Sequence, residues 1–298
     1  MNGIVERQNS SPFLRLLRAR AHIYMGAGRI QWIQFALSVV VPMIGAIAGI
    51  IWVETRPWIG VLALAITIYD VSWLDRMQRR KLRILAKVGE QFDCELLGLP
   101  WNAFTVGKYV DPETIDAVAS GWSGGDAYLM DWYPQQVGAV VPHLACIICQ
   151  QANLWYDSKL RRMYSTFLVA GAMAIFGALF VIGIILRLSV EDFAVTILTP
   201  SAPMIIWSIR EYYGHRDAAE ANEIIKAEVE AFWDRAASGA FLEDACALRS
   251  RELQDAIYVR RSSNPLLFPF ILTGLRTSML GRLTIGIAEL VKQAGGNN

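Results

Sequence analysis

Four long apolar segments, grouped in two pairs, limit most strongly what this chain can fold into. They cover residues 32–53, 58–73, 165–186 and 193–209. The first and third are long enough as helices to cross a hydrocarbon core of about 30 Å. The links inside each pair are short, which predicts two helical hairpins. The sequence therefore predicts an all-α membrane protein with two transmembrane helical hairpins and four spans.

These segments divide the 298 residues into five parts. Transmembrane hairpin 1 is residues 32–74 and transmembrane hairpin 2 is residues 165–209. Residues 1–31 form an N-terminal segment, residues 75–164 a central insert and residues 210–298 a C-terminal region. The insert and the C-terminal region are together long enough for one compact domain. Their amphipathic stretches predict that this domain is mostly helical.

The basic residues predict how the chain is oriented in a membrane. Arginines and lysines are dense before the first span, after the second, before the third and after the fourth, whereas the two short links contain only Arg56 and Arg187. Basic residues accumulate on the cytoplasmic side of membrane proteins. We therefore expect both termini and the central insert to be cytoplasmic.

The stretch FDCELLGLPWN, residues 92–102, is too short to span a membrane and contains two acidic residues. We expect a turn into a short extended segment that ends at Pro100. Its apolar side chains predict a place in the core of the extramembrane domain, with packing by Phe92, Leu96, Leu97 and Leu99. Trp101 and Asn102 follow directly, and they either fix a turn or contact a ligand.

Helical periodicity also organises the rest of the extramembrane sequence. Residues 135–186 predict one long helix that runs into the third span and is kinked at Pro142. Asn264 and Pro265 are expected to break the chain before a final helix. The apolar run 266–275 is only 10 residues long, so core or interface packing is expected rather than a fifth span.

Few polar groups lie inside the spans. Asp70 is either an interfacial carboxylate that pairs with Arg76 or Arg79, or a charge at the mouth of a pore. The fourth span contains a polar and proline-rich stretch, which frees backbone groups and suits a position that faces protein or water. The candidate pore or gate residues are Asp70, Thr199, Pro200, Ser201 and Pro203.

Basic and aromatic residues outside the spans could bind a small anion. Arginine binds phosphate in a bidentate manner, and aromatic rings stack on bases. Basic residues at a membrane edge also set topology and contact anionic lipid, so both readings remain open for the clusters next to the spans. The candidate ligand-binding residues are Trp101, Asn102, Trp132, Tyr133, Arg161, Arg260 and Arg261.

Several functional classes have no support in the sequence. His143, Cys146 and Cys149 are spaced three residues apart, but one Cys-x-x-Cys in an apolar helix is a weak metal signal. The common nucleotide-binding and hydrolase motifs are missing from the sequence. The net charge of +1 gives no indication of binding to DNA or RNA polymers, and we expect none. We expect no enzyme activity, no metal and no cofactor.

A set of short motifs in a fixed order resembles a known family. The resemblance covers nearly the whole chain, and the motifs stand in the order hairpin, insert, hairpin, tail. The motifs are Arg7-Gln8-Asn9, Phe92-Asp93-Cys94, Leu99-Pro100-Trp101-Asn102, Trp132-Tyr133-Pro134, Cys149-Gln150, Asn153, Asp157, Leu160-Arg161, Tyr164, Gln254-Asp255, Ile257-Tyr258, Arg260-Arg261 and Asn264-Pro265. In these motifs the chain resembles the SMODS-associated four-transmembrane effectors, which are inferred to form pores and are encoded beside cyclic-oligonucleotide synthases in bacterial anti-phage defence.

The resemblance implies a function. A partner nucleotidyltransferase makes a cyclic oligonucleotide on infection, and the extramembrane domain of the effector senses it. The effector, as a homo-oligomer in the bilayer of the bacterial inner membrane, then permeabilises that membrane and causes abortive infection. Two alternatives remain open, a membrane scaffold that recruits a cytosolic partner without forming a pore, and a small constitutive channel or transporter.

Overall fold

The computed structural model describes residues 2–239 and 243–295, with all side chains of these ranges except those of residues 269–273 and 275–278. The described residues contain no β-strand. Short 3₁₀ turns lie at Asp126–Tyr128 and Gln135–Ala139. The helices are α1 (Ile4–Gln8), α2 (Ser11–Ile51), α3 (Val53–Leu97), α4 (Ala103–Val106), α5 (Pro112–Ala119), α6 (Pro142–Ile185), α7 (Val190–Ala237), α8 (Glu243–Ser263) and α9 (Pro269–Gly295).

Four of these helices are long and apolar enough to cross a membrane, namely α2, α3, α6 and α7. They contain 41, 45, 44 and 48 residues. At 1.5 Å per residue each is roughly 60–70 Å long, about twice the thickness of a hydrocarbon core. Each helix therefore continues from its apolar segment into the extramembrane region, by which we mean residues 2–31, 75–164, 210–239 and 243–295. The predicted all-α fold with four spans is confirmed.

The outer ends of the two hairpins contact each other and expose apolar side chains. Arg56 in the first link pairs with Asp192 in the second link. Trp58 is 76% exposed and Ile185 is 72% exposed. Large apolar side chains at this level of exposure are expected where a helix faces lipid rather than water.

Three of the spanning helices contain a wide π turn inside the apolar segment, at Ala36–Val40, Asp70–Leu74 and Ala194–Leu198. Pro42 and Pro200 each follow such a turn by two residues. Proline has no N–H, so the carbonyl four residues earlier loses its helical partner, and a local widening accommodates this. The carbonyl of Ala194 accepts both the backbone N–H of Thr199 and, at 2.9 Å, its hydroxyl, which strengthens the π turn.

The stretch FDCELLGLPWN adopts a different structure from the one that its sequence predicts. Residues 92–97 are the last turns of α3 rather than an extended segment, and the helix ends at Gly98, whose φ of 72° is left-handed. Glycine adopts this conformation without steric cost, which explains the position of the helix end. The predicted packing role is confirmed for Phe92 and Leu96, which are 1% and 0% exposed, and for Leu99, which is also buried.

The long helix before the third span also starts later than predicted. Instead of a helix that is kinked at Pro142, the chain forms a 3₁₀ turn at Gln135–Ala139, and α6 begins at Pro142. Proline in the first turn of a helix removes only an N–H that has no helical partner in any case. The predicted break at Asn264 and Pro265 is confirmed, since both lie between α8 and α9.

The core of the extramembrane region includes the N-terminal segment as well as the insert and the C-terminal region. Leu17, Phe92, Ile147 and Phe232 from α2, α3, α6 and α7 are buried in one apolar cluster. Segments far apart in the sequence are also joined by hydrogen bonds. For example, the side chain of Gln8 both donates to and accepts from the backbone of Tyr133, at 3.0 and 2.8 Å.

The apolar run that starts at Leu266 packs inside the protein where the structure describes it. Leu266 and Leu267 are 3% and 6% exposed. Gln31 of α2 donates to the carbonyl of Leu266 at 2.8 Å, which anchors the link between α8 and α9 to the base of the first span. The side chains of residues 269–273 and 275 lie outside the described residues.

Candidate functional site

A recess of about 520 Å³ opens in the extramembrane region between α2, α6, the loop before α6, and the link between α8 and α9. We call it the aromatic cavity. Its walls are mainly apolar, and small-molecule sites of about 300–1,000 Å³ are typically apolar with a few polar groups. The aromatic residues that line it are Tyr24, Trp122, Tyr128, Trp132, Tyr133 and Tyr156. Three arginines line it as well, Arg20, Arg161 and Arg261.

Arg20 of α2 has a charge that no neighbouring carboxylate neutralises. Its guanidinium carbon lies 4.5 Å from the centre of the Trp132 ring, which is a cation–π contact. Within residues 2–239 and 243–295, no carboxylate lies at ion-pair distance from it. Burial, and then the positive charge of Arg261, lower the pKa of Arg20 to about 10, and the charges of Asp93 and Asp157 oppose this shift. Arg20 is therefore a half-buried cation without a direct ion-pair partner.

Arg261 belongs to a hydrogen-bonded group at one wall of the aromatic cavity. Its Nη1 donates to Asp93 at 2.8 Å, and the hydroxyl of Tyr133 donates to the other oxygen of Asp93 at 2.9 Å. Asn153 donates to the oxygen of Tyr133 at 2.8 Å. Burial, reinforced by the charge of Asp93, raises the pKa of Tyr133 well above its usual range, so its hydroxyl keeps its proton. Tyr133 therefore fixes the wall and does not act as a base.

Arg161 of α6 links the aromatic cavity to α7 and to the α8–α9 link. It donates to Asp157 at 2.7 Å, to Nδ1 of His215 at 3.0 Å and to the carbonyl of Pro265 at 2.9 Å. Burial alone would raise the pKa of Asp157, but the charge and the hydrogen bond of Arg161 lower it below its usual value. Asp157 is therefore an anion that holds Arg161 in place.

His215 is fully buried beside Arg161, and its tautomer follows from the contacts. A guanidinium can only donate, so Nδ1 of His215 must accept and the proton lies on Nε2. Nε2 is 3.5 Å from a carboxylate oxygen of Glu211. Burial lowers the pKa of His215, with the carboxylate of Glu211 opposing and the charge of Arg161 adding to the effect.

This shift predicts that acid destabilises the protein through His215. The unfolded chain binds a proton near pH 6.5 whereas the folded chain resists it, so stability falls as pH drops below 6.5, by at most about 1.4 kcal/mol per pH unit for one proton. We expect the midpoint temperature of thermal unfolding to fall less between pH 7.5 and pH 5.5 in His215→Gln than in the wild type. His143→Gln retains His215 and should follow the wild type. If the unfolding midpoint of His215→Gln falls with pH as steeply as that of the wild type, the prediction is contradicted.

The structure brings four of the seven candidate ligand residues to the aromatic cavity, namely Trp132, Tyr133, Arg161 and Arg261. Arg260 is exposed and lines a separate groove of about 280 Å³ next to the spans. Trp101 and Asn102 do not line the aromatic cavity. Asn102 caps α4 and donates to Asp255 at 2.8 Å. Trp101 stacks on Tyr109 with ring centres 4.1 Å apart.

Sequence reasoning missed several residues of the aromatic cavity. Arg20 stands in a basic cluster before the first span, where topology is a sufficient explanation for a positive charge. Tyr24, Trp122 and Tyr128 carry no spacing signal that connects them to residues more than 100 positions away. The cysteines near His143 are core residues, since Cys146 and Cys149 are buried, and this burial raises the thiol pKa of Cys146 to about 12. Within the described residues, no three His, Cys, Asp or Glu side chains converge as a metal site would require.

The candidate gate residue Asp70 is buried between three spanning helices. It accepts from Gln34 of α2 at 2.7 Å and lies 2.8 Å from Nη2 of Arg210 of α7. The predicted pairing with Arg76 or Arg79 is wrong. These residues are six and nine positions further along α3, so at 3.6 residues per turn they lie on other faces, about 240° and 180° away. Arg79 pairs with Asp75 instead.

The other candidate gate residues lie along the fourth span. Pro200, Ser201 and Pro203 are buried against neighbouring helices within the chain. Thr199 is exposed at one edge, and a Cβ atom on Gly60 would lie 3.4 Å from its methyl group. In a single chain these side chains take part in helix packing between the second and fourth spans.

Comparisons with known proteins agree with this architecture. The model of the SMODS-associating 4TM effector domain matches residues 2–290. The chain is also 24% identical over 281 residues to a Bacillus cereus (strain VD146) protein described as a "probable CBASS effector molecule", and the match covers 92% of each chain. No solved structure matches the chain. Because the family model extends through all four spans and most of the extramembrane region, this multi-pass membrane protein belongs to the SMODS-associating 4TM effector family.

Proposed function

We propose that this protein is a membrane effector of bacterial anti-phage defence that permeabilises the inner membrane when a cyclic oligonucleotide binds in the aromatic cavity. The observation that carries the proposal is the aromatic cavity itself, which six aromatic side chains line together with Arg20, an arginine that packs on Trp132 and has no direct ion-pair partner. The description of the Bacillus cereus relative as a CBASS effector supports the same role.

The chemistry of the aromatic cavity suits a nucleotide. Every base has a π face that can stack on an aromatic side chain, and such stacking contributes about 1–3 kcal/mol per base. Trp132 and Trp122 offer broad rings for this, and Arg20 offers a positive charge for a phosphodiester. Asn153 and Asp131 at the walls offer hydrogen-bonding groups for base edges.

A ligand in the aromatic cavity would contact helices that also cross the membrane. Residues of α2, α3, α6 and α7 all line it, among them Arg20, Leu85, Arg161 and Asn222. A ligand that binds the open arrangement more tightly than the closed one therefore shifts all four spanning helices together. No separate linker is needed between the sensor and the membrane.

Permeabilisation requires more than one chain. Four mainly apolar helices are too few to enclose a wide aqueous channel, so copies of the chain must surround any pore. The third span supports this view, because its most apolar stretch is the least buried of the four. The positive-inside pattern supports a cytoplasmic location of both termini and of the aromatic cavity, where a nucleotide made by a partner synthase would be available.

Dye release from liposomes tests the proposal. Purified protein is reconstituted into vesicles that contain a self-quenched dye, and cyclic di- and trinucleotides are added one at a time. We expect one or a few of them to cause release, and vesicles without nucleotide to remain sealed. Release without any nucleotide would contradict the proposal in favour of a constitutive channel. Sealed vesicles with every nucleotide, from folded and inserted protein, would contradict it in favour of a scaffold.

Replacing Trp132 with leucine should weaken the response. Leucine keeps the site apolar but removes the stacking surface and the cation–π contact with Arg20. We expect the concentration of the active nucleotide at half-maximal release to rise on the order of tenfold, the equivalent of about 1.4 kcal/mol of lost stacking. Phe104→Leu alters a fully exposed aromatic residue outside the aromatic cavity and should respond like the wild type. Equal responses of both variants would exclude Trp132 as a stacking platform.

A further inference from the structure

Two guanidinium groups that line the aromatic cavity converge on one glycine of α3. A Cβ atom on Gly89 would lie 3.2 Å from Nη1 of Arg261 and 3.5 Å from Nε of Arg20. These arginines come from α2 and α8, which are more than 200 residues apart in the sequence. The absence of a side chain at Gly89 allows both of them to reach the same place.

The two arginines differ in their direct partners. Arg261 donates to Asp93 at 2.8 Å, whereas the direct contact of Arg20 is the face of Trp132, and Asp93 and Asp157 act on its charge only from a longer distance. Holding two like charges next to each other in a half-buried site is unfavourable. A bound anion would relieve this cost, and the planar donor groups of arginine match the oxygens of a phosphate.

We infer that Arg20 and Arg261 form a phosphate-binding seat above Gly89, and that the seat holds one phosphodiester group of the activating nucleotide. The identity of the ligand as a nucleotide rests on the proposed function, whereas the seat itself rests on the convergence of the two arginines. Trp132, which packs on Arg20, lies next to the seat and is placed to stack on the base attached to that phosphate.

Thermal unfolding in lipid-free detergent tests the seat with a probe that needs no base, inorganic pyrophosphate. We expect millimolar pyrophosphate to raise the unfolding midpoint of the wild type. Arg20→Met should weaken pyrophosphate binding at least about tenfold, because a charge-assisted contact is lost. Without pyrophosphate, its midpoint should equal or exceed that of the wild type, because a charge without a counter-ion has been removed. An arginine with a merely structural role would instead lower the midpoint and leave the response to pyrophosphate intact.

Two further variants separate geometry from charge. Gly89→Ala keeps both arginines but puts a methyl group against them, so it should weaken pyrophosphate binding with all charges present. Arg15→Met removes an exposed arginine from the same helix as Arg20 and should respond like the wild type. If pyrophosphate raises the unfolding midpoints of both Arg20→Met and Gly89→Ala as much as that of the wild type, the seat is overturned.

The source of the phosphate is tested in the same assay. We expect the nucleotide that triggers dye release to raise the midpoint in an Arg20-dependent manner, and short-chain phosphatidylglycerol to have no such effect. An Arg20-dependent response to phosphatidylglycerol alone would overturn the assignment to a soluble nucleotide. An Arg20-dependent response to pyrophosphate, with vesicles that no nucleotide opens, would refute the proposed function and leave the seat intact. Nucleotide-induced release at unchanged concentrations in Arg20→Met would refute the seat and leave the proposed function intact.

Discussion

Replacing Arg251 with methionine is expected to lower the free energy of unfolding by about 3–5 kcal/mol, because it leaves a buried carboxylate without its cation. Nη2 of Arg251 lies 2.7 Å from Glu90, whose side chain is fully buried, and 2.9 Å from Asp255. Nη1 donates to the carbonyl of Pro100 at 2.9 Å. Burial raises the pKa of Glu90 and the hydrogen bond from Arg251 opposes this shift. Arg251 thus joins α8 to the end of α3.

The measurement is denaturant unfolding in mixed micelles, with Arg249→Met as the matched control. Arg249 lies on the same helix, but its pairs with Glu228 and Glu252 are exposed, so its loss should cost no more than about 1 kcal/mol. Glu90→Gln combined with Arg251→Met should recover part of the loss, because no unpaired carboxylate remains at position 90. A loss below 1 kcal/mol for Arg251→Met alone would show that water reaches Glu90.

Replacing Arg210 with methionine should have a comparable effect at the boundary between the spans and the extramembrane region. The carboxylate of Asp70 is 5% exposed and has Arg210 as its cation, with Gln34 as a neutral donor. Without Arg210, a buried anion remains between α2, α3 and α7, and the expected loss is again about 3–5 kcal/mol. The substitution also removes the ion pair that links α7, the helix of the fourth span, to α3, the helix of the second span.

The exposed pair of Arg79 and Asp75 provides the control for this experiment. Asp75 and Arg79 lie five and nine residues after Asp70 on α3, and the Arg79 side chain is 60% exposed, so Arg79→Met should cost only about 0.3–0.5 kcal/mol. Asp70→Asn together with Arg210→Met should be more stable than Arg210→Met alone, because asparagine keeps the hydrogen bond of Gln34 without a charge. If the double variant is no more stable than the single one, Arg210 stabilises this region through packing of its side chain rather than through its charge.

The sequence predicted the membrane part of this fold well because the bilayer imposes simple rules. An apolar segment of sufficient length must be helical, so the four spans could be located by composition alone. Outside the bilayer, local signals were weaker. The apolar stretch after residue 91 was expected to be extended, although Gly98 just beyond it is a common signal for the end of a helix.

The candidate site could be predicted only in part, for a reason that lies in the topology. Trp132, Tyr133, Arg161 and Arg261 could be selected by residue type, but their convergence depends on how α6 and α8 pack. Arg20 could not be selected, because a basic residue before a span already has an explanation in topology. What distinguishes it is the missing counter-ion, which is a property of the folded chain.

The continuous course of α6 has a consequence for engineering the protein. This helix of 44 residues contains the aromatic cavity residue Arg161 and ends at Ile185, the outer end of the third span. Over these 24 positions, roughly 36 Å of helix, each degree of tilt about Arg161 moves the outer end by roughly 0.6 Å. Inserting one residue between them would turn everything beyond the insertion by about 100°. An exchange of sensing regions between relatives must therefore preserve the number of residues, and with it the helical phase, between Arg161 and the third span.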